Sequence, residues 1–86
     1  MIGRRIERDA EAALNAVHRA WATEGDFALS PSDLADRVGY KPPRQVEQPV
    51  IEYMLAEGWI TQQSDGVRLT DAGRAHSHKL IESKRR

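Results

Sequence analysis

The 86 residues include no cysteine. That absence excludes a disulfide framework, a thiolate metal site and a cysteine nucleophile. There is no excess of either charge, because 13 Lys and Arg are offset by 13 Asp and Glu. Proteins that depend on phosphate contacts usually carry a surplus of Lys and Arg, so here the segregation of charge matters more than its total. No apolar run approaches the roughly 20 residues needed to cross a bilayer, and no signal-peptide pattern is present, so a cytoplasmic location is expected. No glycine-rich phosphate loop follows a strand, and no nucleophile–base pair has a distinguishing context, so no enzymatic activity is expected. Three histidines are present. His76 and His78 are two apart on an expected helix and so point to different faces, while His18 lies on another helix. No metal site and no cofactor is expected.

What remains is the pattern of one small domain with one modest core. From Arg4 to about Thr23, Ile6, Ala10, Ala13, Leu14, Val17 and Trp21 recur at three- and four-residue steps and form one apolar stripe. A helix of that length is about 30 Å long, so part of it is expected to project beyond the core. Ala12, Ala16 and Ala20 form a second row at i, i+4. The row reads either as a seam where another helix approaches closely or as plain use of the best helix former.

Ser30-Pro31-Ser32-Asp33 reads as a helix start. The Ser30 hydroxyl can accept from the Asp33 N–H, and Pro31 falls where its missing N–H costs nothing. Gly39 supplies a left-handed stop, which bounds the helix at 31–38. After Tyr40-Lys41-Pro42-Pro43 a second helix, 45–57, carries Val46, Val50, Ile51, Met54 and Leu55 on one side and ends at Gly58. Pro49 inside that helix would cost about 3 kcal/mol, which a late start near Gln45 or Val46 largely avoids. Before Ser30, Phe27-Ala28-Leu29 alternates as a short strand would. Trp59 to Leu69, with a Ser64-Asp65-Gly66 turn, reads as a hairpin with Ile60, Val67 and Leu69 inward and Thr61, Gln63 and Arg68 outward. Trp59 is expected to pack beneath it. Thr70 caps a last helix, 71–83, whose apolar anchors are Ala72, Ala75, Leu80 and Ile81. That is too few to hold it without the first helix or a partner.

The fold class is therefore mainly α with a small β-hairpin (α+β), in the order helix, short strand, helix, helix, hairpin, helix. This order resembles the winged helix-turn-helix DNA-binding domains, and the resemblance covers almost the whole chain. Glu57-Gly58-Trp59-Ile60 is similar to their step from recognition helix into the first wing strand. Leu69-Thr70-Asp71-Ala72-Gly73-Arg74 is similar to the L-T-x-x-G-(R/K) exit from the wing in bacterial regulators of the MarR and PadR type. The wing differs in being a tight turn with Asp65 at its tip and one basic residue, Arg68.

The resemblance implies a small transcriptional regulator that binds double-stranded DNA as a homodimer. On the exposed arc of the second helix, Gln45, Gln48 and Glu52 are candidates for reading bases, since glutamine can pair with adenine and glutamate can accept from cytosine. Lys41, Arg44 and Arg68 would meet phosphates, with Ser32 beside them. Arg37 joins Lys41 and Arg44 in one basic corner, and further clusters lie at Arg4, Arg5 and Arg8 and at Lys84, Arg85 and Arg86. The dimer interface would use Ala12, Ala16, Ala20, Leu80 and Ile81. The alternative is a winged helix used for protein–protein contact, which zero net charge and the acids Glu47 and Glu52 favour.

Overall fold

The computed structural model describes residues 2–25, 28–41 and 44–84, with side chains from 5 to 83 in those ranges. Asp26, Phe27, Pro42, Pro43, Arg85 and Arg86, and the side chains of Arg4 and Lys84, lie outside that description. The elements are α1 (Ile2–Glu24), α2 (Pro31–Val38), α3 (Gln48–Ala56), β1 (Ile60–Gln63), β2 (Gly66–Leu69) and α4 (Asp71–Lys84). None of the helices is long and apolar enough to cross a membrane.

The apolar stripe of α1 is the surface on which the rest is built. Ile6, Ala10, Ala13, Leu14, Val17 and Ala20 are buried, and α2, α3, α4 and β2 all pack against this helix. Its 23 residues correspond to about 34 Å, nearly the 35 Å long axis of the molecule. The expected overhang is absent. Burial begins at Ile6 and continues to Ala20 because the other helices and the hairpin cover the stripe along its length.

Ser30 caps α2 as its sequence implies, accepting from the Asp33 N–H at 3.2 Å. Leu34 and Ala35 turn inward, and Gly39 at φ 104° ends the helix by donating to Ala35 O and Asp36 O. Between α2 and α3 lies a connection of residues 39–47, longer than the tight turn expected. Val46 is buried within it and anchors it to the core. The start of α3 moves later than expected, to Gln48, so Gln45 is not helical. This places Pro49 in the first turn, where a missing N–H breaks no intrahelical bond.

At its other end α3 closes with a Schellman arrangement. Gly58 at φ 75° donates to Leu55 O at 3.0 Å, and Trp59 N–H donates to Met54 O at 2.9 Å. A side chain at that φ would be strained, which accounts for glycine here. The reversal turns Trp59 and Ile60 into the core, at 5% and 2% exposure.

The hairpin pairs Ile60 with Leu69 and Gln63 with Gly66. Of the short strand expected before α2, Phe27 lies outside the described residues, and Leu29 exchanges both backbone bonds with Val67, at 2.8 and 2.9 Å. Arg68, opposite exposed Thr61 in the register, is half-buried. Thr70 then couples the hairpin to α4. Its N–H donates to Trp59 O, its hydroxyl donates to Gly58 O, and the same hydroxyl accepts from the Gly73 N–H at 3.0 Å.

The anchors of α4 differ from those expected. Ala72 and Ala75 are exposed, Ile81 is 39% exposed, and Leu80 packs on the edge of the core. Polar and aromatic contacts with α1 and Trp59 hold the helix instead. Ser77, fully buried, donates to Asn15 Oδ1 at 2.8 Å, and His18 Nδ1 lies 2.9 Å from the Ser77 oxygen. The Ser77 hydroxyl thus bridges Asn15 and His18. His76 stacks on Trp59 at 4.4 Å, and the Arg74 guanidinium lies 4.8 Å over Trp21.

Candidate functional site

The candidate site is the corner where α2 and α3 begin. The cap at Ser30 fixes the first turn of α2, which exposes Ser32. From the α2–α3 connection Gln45 Nε2 donates to Ser32 Oγ at 3.2 Å, tying Gln45 to α2. Lys41 and Arg44 are exposed in the same connection, and the Arg44 N–H donates to Lys41 O at 3.0 Å. The Arg44 guanidinium lies 4.0 Å over the Tyr40 ring, a cation–π contact that orients it without neutralising it. Gln48 is the first residue of α3, and Glu52 follows one turn later. Both are exposed.

Chain connectivity and the Ser32–Gln45 bond thus gather Ser32, Lys41, Arg44, Gln45, Gln48 and Glu52 at one corner. Arg68 belongs to β2, across from Thr61. Arg37, counted in the same basic corner from sequence, is bound instead to Glu24 at the end of α1 through two contacts, one at 2.6 Å. The exposed arc of α3, made of Gln48, Pro49, Glu52 and Ala56, carries no cation.

Beside the corner a cleft of about 290 Å³ opens between the starts of α2 and α3 and the hairpin turn. Leu29, Leu34 and Ile51 line its apolar part, and Gln48, Gln62 and Gln63 its polar part. Of the two hairpin glutamines, Gln63 reads from sequence only as an outward strand position, and Gln62 is given no role there. Their proximity to Gln48 comes from the hairpin folding back on α3, and no local pattern encodes it.

A second contribution missed from sequence is Arg5. Its Nη2 lies 2.6 Å from Glu47 Oε1, immediately before α3. Residue 5 and residue 47 are brought together only by the packing of α3 on α1.

The five residues assigned to a dimer interface divide sharply. Ala16 and Ala20 are 5% and 3% exposed within the single chain, so they are core positions and cannot face another copy. Leu80 packs against its own core, leaving Ala12 and Ile81 exposed. Ala16 and Ala20 serve close packing inside the domain.

The α1–α4 seam gathers titratable groups. Burial, then the charges of His78 and Arg74, push the His18 imidazole below its ordinary value. His76 Nε2 stands 3.6 Å from Glu11, and His78 Nε2 stands 3.1 Å from Glu82. His18, which seemed remote from the α4 histidines, borders the same seam because α4 packs on α1. No group of three His, Cys, Asp or Glu among the described residues is arranged to hold a metal ion. Tyr53 meets Trp59 edge-on at 5.6 Å, and burial, then Glu7, Glu57 and Glu11, raise its phenol above the ordinary value.

These features define a small α+β domain in which three helices precede a β-hairpin and a fourth helix closes the chain. No protein-family model, curated protein or solved structure matches the chain.

Proposed function

We propose that this chain is a winged helix-turn-helix domain that binds double-stranded DNA through the corner at the start of α3. The observation that carries the reading is the arrangement there. Exposed Gln48 opens α3, Gln45 is tied to Ser32, and Lys41 and Arg44 flank them, with no acid among the described residues paired to either. Glutamines can hydrogen-bond base edges in the major groove, and flanking cations can fix register on phosphates. Arg68 on the hairpin would supply a further phosphate contact. The role would be that of a transcriptional regulator.

The homodimer part of this reading now rests on Ala12 and Ile81 alone. Two copies would be needed to place α3 helices on half-sites about 34 Å apart. Light scattering after size exclusion tests it, since a monomer mass at roughly 100 µM protein removes the dimer and the palindromic site with it.

A second reading is favoured by one specific feature. The exposed arc of α3 holds Glu52 and no cation, with Glu47 just before it. That arc suits contact with a protein better than contact with a polyanion. Retardation of duplex DNA at low salt separates the two. Binding at micromolar protein supports the DNA reading, and its absence transfers the corner to a protein partner.

A further inference from the structure

The ion pair between Arg5 and Glu47 joins the first turns of α1 to the residue that precedes α3. Its N–O distance is 2.6 Å, yet both side chains are open to solvent, at 63% and 45% exposure. A second carboxylate, Asp9, approaches Arg5 Nε at 3.8 Å, from the next turn of α1. Glu47 occupies the N-cap position of α3 but makes no side-chain capping bond. Its carboxylate is turned to Arg5 instead of to the helix.

Three exposed cations from two parts of the chain therefore border the start of α3: Lys41 and Arg44 from the connection, and Arg5 from α1. A guanidinium has five N–H donors in a planar fork. Glu47 engages one terminal nitrogen at hydrogen-bonding distance, and Asp9 stands farther off. An exposed pair of this kind is weakly held, because water screens it and two long side chains must be ordered to keep it. A phosphate is a competitive partner for Arg5, since an arginine can bind it through two parallel N–H bonds.

We propose that Arg5 is a phosphate-binding residue of the DNA interface, and that Glu47 is the carboxylate it exchanges for phosphate when duplex DNA binds. This rests on the DNA reading of the α3 corner and extends it. The contact surface reaches onto α1, and Glu47 weakens binding by competing for the same guanidinium. An acid beside the recognition helix then sets affinity rather than reading a base.

The test uses the full chain and a fluorescent mixed-sequence duplex, with anisotropy measured over a salt series. Four variants join the wild type: Arg5→Ala, Arg5→Lys, Glu47→Gln, and Arg5→Ala combined with Glu47→Gln. Removing one phosphate contact lowers the slope of log affinity against log salt by about one unit, which is the result expected for Arg5→Ala. Arg5→Lys restores the slope. Glu47→Gln tightens binding to all sequences, and adding Arg5→Ala removes most of that gain. A gain kept in full in the double variant means that Glu47 acts by repelling DNA directly, which overturns the exchange. Wild-type binding with an unchanged slope and affinity in Arg5→Ala overturns the proposal and leaves the α3 reading standing. Failure of the wild type to bind any duplex overturns both.

Discussion

Gly73 lies against the carbonyl of Trp59: a Cβ built on Gly73 would stand 2.1 Å from Trp59 O. The contact gives a physical reason for the Thr70-to-Gly73 spacing. Thr70 caps α4 while bonding Gly58 and Trp59 carbonyls, and this brings the third residue of α4 directly onto the backbone at the hairpin's base. On an exposed helix, Gly→Ala would gain up to about 1 kcal/mol. At Gly73 the clash is with backbone, so Gly73→Ala is expected to destabilise by about 1–3 kcal/mol or more. Urea unfolding checks it, and an unchanged or higher midpoint would contradict the close approach.

Trp59 itself sits between Tyr53 and His76, buried under the reversal after α3. Trp59→Ala is expected to cost about 3–5 kcal/mol, a large share of a small domain's stability. Thermal melting followed by circular dichroism measures this. A midpoint equal to wild type would mean that the ring is not in the core.

Acid is expected to weaken the α1–α4 seam through His18. Its folded-state pKa lies below the unfolded value near 6.5. The unfolded chain therefore binds more protons in the window below about 6.5. Stability falls as pH drops from there through the folded value, and is fully present only above about 6.5. Urea midpoints across that window should fall more steeply for wild type than for His18→Gln. His76 beside Glu11 and His78 beside Glu82 are shared by both proteins, so the difference reports His18 together with its coupling to His78. Equal slopes would contradict the assignment.

Ala16→Glu is expected to unfold the domain, because it would bury a charge without a partner. Ala12→Glu should leave the unfolding free energy within about 0.5 kcal/mol of wild type, as exposed substitutions usually do. Ala12 is thus the position at which to probe self-association. A stable Ala16→Glu protein would show that the alanine row lies at the surface.

The parts of the fold legible in the sequence are those encoded within a few residues. The Ser30 cap, the Gly39 stop, the Gly58-Trp59 reversal and the Thr70 cap each depend on local backbone geometry and on residue types suited to it. Pro49 showed that α3 starts late, but not how late, because the length of the connection is set by where Val46 finds the core. Ala16 and Ala20 were ambiguous for a physical reason: alanine suits a helix whether buried or exposed. The seam of Asn15, His18 and Ser77 joins positions about sixty residues apart, and no periodicity announces a polar triad of which Ser77 is buried and the other two half-buried. At the candidate site, Lys41, Arg44 and Gln48 were legible as exposed polar positions beside a helix start. Arg37 and Arg5 were not separable by sequence. Tertiary packing pairs the first with Glu24 and the second with Glu47.

The most direct measurement is the affinity of wild type, Arg44→Ala and Gln48→Ala for duplex DNA as a function of salt. Wild type is expected to bind at micromolar concentration in about 50 mM salt and to weaken steeply as salt rises. Arg44→Ala should bind every sequence more weakly, with a salt slope smaller by about one unit. Gln48→Ala should lose about 1–3 kcal/mol at a preferred site and little elsewhere. No binding of wild type to any duplex under these conditions would contradict the account.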